Sequence, residues 1–162
     1  MDLAASAACA VLLVTAGLLL YGAVKDLRDY SISNAFVFVL GGLFVLHAVL
    51  SGRWVILHEN VAFALLMFVV LLVCYARGWM GGGDVKLLTV ACLWVGIRCA
   101  LPFSLLLLLF ATLHTAAIKL NWTQGRREGG RIKIAFAPSI SAALIGSFAT
   151  GCLASPGGRF CI

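Results

Sequence analysis

Apolar residues along this chain gather into six runs, 3–24, 35–50, 59–76, 87–97, 99–118 and 134–153, separated by short polar breaks. Within each run the apolar positions are nearly continuous. They do not alternate as the strands of a membrane barrel do. The pattern predicts helices with apolar surroundings. At about 1.5 Å per residue, the longer runs suffice to cross about 30 Å of hydrocarbon. Run 87–97 is shorter than a usual span. Lipid offers no partner to a free N–H or C=O, so every crossing segment is expected to be helical.

The breaks hold most of the charge. They read KDLRDYSISN at 25–34, Ser51-Gly52-Arg53, Arg77 followed by GWMGGGDVK at 78–86, Arg98, and KLNWTQGRREGGRIK at 119–133; a Gly/Pro tail follows residue 153. Six crossings alternate these breaks between two sides. One side then receives nine of the twelve Lys and Arg; the other receives Arg53, Arg98 and Arg159. The positive-inside rule makes the first side cytoplasmic and leaves both termini outside. The same bias argues that run 87–97 crosses. Otherwise the 119–133 break, with five basic residues, faces outward.

Composition agrees. The chain has 162 residues, of which 63% are hydrophobic and 11% charged, with a mean hydropathy of +1.09. Soluble domains are nearer half apolar and a quarter charged. A globule this small cannot hide the surplus. The expected fold class is therefore all-α: a polytopic membrane protein, a bundle of six transmembrane helices, forming one domain over residues 1–162. The first run follows acidic Asp2 and has no clear small-residue cleavage site, so it reads as a retained helix and not a signal peptide. The net charge of +6 does not indicate nucleic acid, because the basic residues sit at run ends, where they orient the protein and meet anionic lipid headgroups.

The side chains that usually bind metals or cofactors give little. Cys9, Cys74, Cys92, Cys99, Cys152 and Cys161 include no C-x-x-C pair, so a zinc site is unsupported. Most read as small buried hydrophobes; Cys152 and Cys161 are able to pair if the C-terminus faces an oxidising compartment. His47, His58 and His114 are scattered without ligand spacing, and no cofactor is implied. Trp54, Trp79, Trp94 and Trp122 lie near run ends, as interfacial anchors do.

The acids are more informative. There are six. Asp2 is terminal, Glu59 lies near an outer boundary and Glu128 lies in a basic break. Asp26, Asp29 and Asp84 lie at the cytoplasmic ends of runs, and two crossings bring Asp26 and Asp84 to the same face. Ionisable groups at membrane depth are costly and often functional. Two carboxyls that meet can share a proton, one activating water and the other protonating a carbonyl oxygen. The plainer alternative is a set of interfacial ion pairs: Asp26 neighbours Lys25 and Arg28, and Asp84 is two residues from Lys86. Gly81-Gly82-Gly83 before Asp84 permits close backbone approach or local motion, or simply a loop.

Gly81, Gly83 and Asp84 form a GxGD signature that continues as GGGDVKLL, and Asp26 opens DLRDYSISN. Together these resemble the type IV prepilin peptidases, membrane aspartyl proteases of the GxGD class. In that family an Asp and a nearby basic residue precede Ile-Pro-Asn; Asp26, Arg28, Ile32 and Asn34 fall at matching positions, with Ser33 in place of the proline. FAPSI at 136–140 is similar to the family's proline-containing start of the last helix. The resemblance implies Asp26 and Asp84 as the catalytic pair, with Asp29 the rival to Asp26. It implies Gly81, Gly83, Lys86, Arg28 and Asn34 as supporting motif residues. It also implies prepilin or pseudopilin leader peptides as substrates, cut after a glycine at the cytoplasmic face of the inner membrane. The chain lacks the cytoplasmic cysteine-containing domain of larger relatives and so looks like the short, peptidase-only form found in tight-adherence pilus systems.

Two other functions compete. A small proton- or cation-coupled transporter component would use the same Asp residues as ion sites, but would show broken helices in symmetric halves. A structural subunit would use them as ion pairs. A Ser or Cys protease has no histidine beside a candidate nucleophile in the sequence.

Overall fold

The computed structural model describes residues 3–29, 33–52, 54–120, 126–128, 131–133 and 136–150. Six α-helices carry the architecture: α1 Leu3–Asp29, α2 Asn34–Leu50, α3 Trp54–Ala76, α4 Gly82–Val95, α5 Ala100–Lys119 and α6 Ala137–Ala149, with a 3₁₀ turn, Ile97–Cys99, between α4 and α5. Segments Ser6–Asp29, Leu57–Ala76 and Ile97–Ala117 are long and apolar enough to cross a membrane, whereas α2 and α6 are shorter apolar helices. Large side chains such as Leu20, Phe38, Leu66 and Leu108 remain exposed on the bundle, as expected of a membrane protein whose outer surface meets acyl chains.

Several elements differ from the sequence pattern, and α3 starts at Trp54, not at 59. α1 continues past residue 24 to Asp29, so KDLRD is the last turn of a helix about 40 Å long. α4 starts at Gly82, not at 87. Glycine costs most in a helix interior, and here Gly82 and Gly83 occupy the first turn. The 119–133 break contains an antiparallel hairpin of two short strands, β1 Arg126–Glu128 and β2 Arg131–Lys133, with Arg126 opposite Lys133 and Glu128 opposite Arg131. Ile32, Trp122, Cys152, Cys161 and both chain ends lie outside the described residues.

Short connections make consecutive helices antiparallel neighbours. α4 packs against α2, α3 and α6, and α6 packs against α5, α1 and α4. The core therefore gathers around α4 and α6, where Leu87, Trp94, Ile140, Ala143 and Leu144 are fully enclosed. Trp94 is not an interfacial anchor. Its indole N–H donates to the Leu40 carbonyl at 3.1 Å, and its ring contacts Phe44, His47 and Phe148. A buried indole needs such an acceptor. Trp79, by contrast, is exposed and lies under the Arg77 guanidinium.

The far end of α4 is pinned to α3. The Asn60 side chain donates to the Leu93 carbonyl at 3.0 Å, and α4 stops at Gly96 with φ 62°. A Cβ at Gly96 would collide with the Asn60 side chain. Beside this corner Arg98 Nη2 lies 3.2 Å from Glu59 Oε2, both side chains exposed. Cys92 is buried and free and Cys74 is half-buried and free. Cys9 and Cys99 are disulfide-bonded, which corrects their reading as buried apolar fillers.

Candidate active site

Asp84 is held by the start of its own helix. Gly81 is the N-cap of α4, so Asp84 is its third helical residue. The Gly81 N–H hydrogen-bonds back to the Asp84 carboxylate, one half of the reciprocal capping box. An acid in the first turn also meets the positive end of the helix dipole. A Cβ on Gly81 would stand 3.1 Å from Asp84 Oδ2, so a side chain there would push against the carboxylate. This accounts for the first glycine of the signature by contact and not by flexibility.

Asp26 is held by a different helix. It sits in the last turn of α1 and is 5% exposed, while Asp29, three residues on, is exposed. Its Oδ2 accepts the Ala137 N–H of α6 at 3.2 Å in a buried contact. The start of α6 explains why that N–H is available. The N-cap is Phe136, which makes no side-chain cap, and Pro138 follows. Proline brings no N–H of its own at a position where helices tolerate it. A carboxylate from α1 thus serves the first turn of α6.

The fold brings the two acids together. The Asp26 carboxylate lies within Coulombic reach of Asp84, and the His114 imidazole on α5 lies within Coulombic reach of Asp26. Among the described residues neither acid forms an ion pair with Lys or Arg. Lys86 instead donates from Nζ to Asn34 Oδ1 at 2.8 Å. Lys25 and Arg28 are exposed, and it is the α6 N–H that bonds Asp26. The interfacial ion pairs suggested by sequence neighbours are therefore not what holds these acids.

The Lys86–Asn34 bond ties the fifth residue of α4 to the first residue of α2, joining the two motif segments across the bundle. Ser33 has a use of its own. It is the N-cap of α2, and its Oγ accepts the Phe36 N–H at 3.3 Å. The residue in the proline position thus caps a helix.

Two participants were not read from the sequence as site groups. In the sequence His114 stands out neither as a metal ligand nor as the partner of a nucleophile, and its place near the end of α5 is the available signal. Ala137 acts through its backbone, which leaves no residue-type signature; Pro138 marked the helix start but not its contact. No group of three His, Cys, Asp or Glu is placed to hold a metal ion among the described residues. What remains is a buried carboxyl and a helix-capped one, close together, without an adjacent cation pair. Such a pair can divide the work of base and acid.

The sequence model of the type IV leader peptidase family matches residues 13–120. That stretch contains Asp26, Asn34, Gly81, Asp84, Lys86 and His114, and ends before α6. No curated protein and no solved structure matches the chain.

Proposed function

Since the chain belongs to the type IV leader peptidase family, we propose that it is a membrane-embedded aspartyl endopeptidase that removes the short basic leader of prepilins or pseudopilins, with Asp26 and Asp84 as its catalytic pair. The carrying observation is that α1 and α4 deliver two carboxyls to one end of the bundle, each hydrogen-bonded by a backbone N–H at a helix start. One carboxylate takes a proton from water as the oxygen attacks the scissile carbonyl after glycine. The other carboxyl gives its proton to the carbonyl oxygen. Collapse of the tetrahedral intermediate breaks the C–N bond, and the departing amine takes up a proton. Backbone donors fix each carboxyl, so little reorganisation is needed during the reaction.

In this reading the six helices all cross the inner membrane, both termini lie outside, and the acids face the cytoplasm. Two independent features support that orientation. Nine of twelve basic residues fall on the side of the acids. Cys9 and Cys99 are disulfide-bonded; Cys9 lies near the start of α1, whose last turn carries Asp26, and Cys99 lies just beyond the end of α4, whose first turn carries Asp84, and disulfides persist in oxidising compartments. Family membership favours peptide cleavage over the transporter alternative. The test is processing of a co-expressed prepilin: it should stop in Asp26→Ala and in Asp84→Ala while each variant still inserts in the membrane. Full processing by either variant removes that residue from the pair.

A further inference from the structure

The match to the family ends at residue 120, yet the contact that holds Asp26 comes from residue 137. We propose that the start of α6, Phe136–Ser139, is a third component of the active site, with the Ala137 backbone N–H as the positioning group that fixes Asp26 for proton transfer. This rests on the reading of Asp26 as catalytic.

The geometry gives the N–H a defined task. Asp26 is buried and its Oδ2 accepts from Ala137 at 3.2 Å. A carboxylate rotates about its terminal torsion with a broad preference, so one oxygen held by a rigid backbone donor leaves the other directed. The donor is itself fixed. Ala137 is 1% exposed, Pro138 restricts the first turn, and α6 packs on α1, α4 and α5. The first N–H groups of a helix have no partner inside that helix. Phe136 supplies no cap, so the N–H serves Asp26 without competition from a capping side chain. Sequence Phe-Ala-Pro-Ser then has a rationale: an N-cap that does not compete, a small residue that lets the carboxylate reach the backbone, and a proline that starts the helix.

Other charged groups around Asp26 must be separated from this one. Asp84 acts on it from α4 and His114 from α5. On α1 itself Lys25, Arg28 and Asp29 are exposed. α6 contains no ionisable side chain, and the titratable residue of α2, His47, lies in its last turn, away from the site. Removing the Ala137 N–H therefore leaves every neighbouring charge in place.

The experiment replaces one atom. The full-length protein is made with Ala137→lactic acid, a backbone ester that substitutes oxygen for the N–H and keeps the side chain, and with Ala142→lactic acid as a control in the same helix. Both are assayed in lipid nanodiscs on a synthetic peptide containing a basic leader, a glycine and an apolar segment. The expected result for the Ala137 ester is a kcat lower by about tenfold, the loss of one hydrogen bond to a charged group, with little change in KM. The pH profile of kcat should be displaced as well, since its limbs belong to the coupled pair of which Asp26 is one member. The Ala142 ester should weaken thermal stability while leaving kcat and the pH profile within about twofold of the parent. An unchanged kcat and pH profile in the Ala137 ester overturns the proposal, as does an equal shift in both esters. Asp26→Ala is run alongside: if it still cleaves, the catalytic assignment has failed; if it is inactive while the Ala137 ester is normal, this inference alone has failed.

Discussion

At the end of the bundle that carries Arg98, buried and charged side chains have conventional partners: Glu59 faces Arg98 across 3.2 Å and Asn60 donates to the Leu93 carbonyl. At the end that carries Asp84 the nearby cations do not pair with the acids. Lys86 is bonded to Asn34, and the two carboxyls are left within reach of each other, steadied by backbone N–H groups. Satisfied polar groups of the first kind hold helices together. Like charges brought together in a low dielectric are costly, and such an arrangement suits a site that handles protons. In the proposed function, polar residues serve architecture at one end of the bundle and chemistry at the other.

Substitutions at the two ends should therefore separate rate from stability. The largest effect is expected for Asp26→Asn and Asp84→Asn. Each should lower cleavage by about 10²–10⁴-fold, the range of a lost general acid or base, with the thermal midpoint in detergent unchanged or raised. Glu59→Gln, the matching change at the other end, should stay within about twofold in rate. If all three behave alike, the contrast fails. Next comes Asp84→Glu. It keeps the charge but moves the carboxyl by about 1 Å or more, and a loss near 10²-fold is expected because misplacement of that size is expensive in catalysis. A structural ion pair would tolerate it, so near-parental cleavage would favour the structural reading.

Two glycines give a smaller and sharper comparison. Gly81→Ala places a methyl against Asp84 Oδ2. It should cost about tenfold in kcat with little change in the unfolding midpoint. Gly96→Ala meets a left-handed backbone and the Asn60 side chain. It should cost about 2 kcal/mol or more of stability, seen as a lower midpoint, while the folded fraction cleaves at the parental rate. The smallest effect belongs to Arg98→Ala. The pair it breaks is exposed, and a change below about 1 kcal/mol is expected.

Much of this architecture was legible in the amino-acid order because lipid imposes few choices. Continuous apolar runs named the helices, and the crossings alone returned Asp26 and Asp84 to one end. What stayed hidden was decided by contacts between distant segments. Residue type does not separate Asp26 from Asp29, and only the spacing to Ile32 and Asn34 prefers Asp26; the helix turns Asp26 inward and leaves Asp29 exposed. Trp94 lies near a run end, yet α2 offers it the Leu40 carbonyl, and the core takes it. The glycines before Asp84 leave close approach, local motion and a loop all open in the sequence; in the structure Gly82 and Gly83 open the first turn of α4. The paired strands Arg126–Glu128 and Arg131–Lys133 lie in a stretch whose basic composition reads as a solvated break. Ala137 was least legible of all, since a backbone donor looks the same in every residue.

The central claim is that two carboxyls meet at the cytoplasmic end of the bundle. Thiol chemistry tests it directly. In a background with Cys74→Ser, Cys92→Ala, Cys152→Ser and Cys161→Ser, which leaves only the disulfide-bonded Cys9 and Cys99, Asp26→Cys and Asp84→Cys are introduced together in inverted and right-side-out membrane vesicles. A membrane-impermeant, short bifunctional thiol reagent should link the two positions when added from the cytoplasmic side, and a leader peptide should protect them. Labelling of the two cysteines from opposite sides of the membrane, or failure of any short reagent to bridge them, would contradict the account.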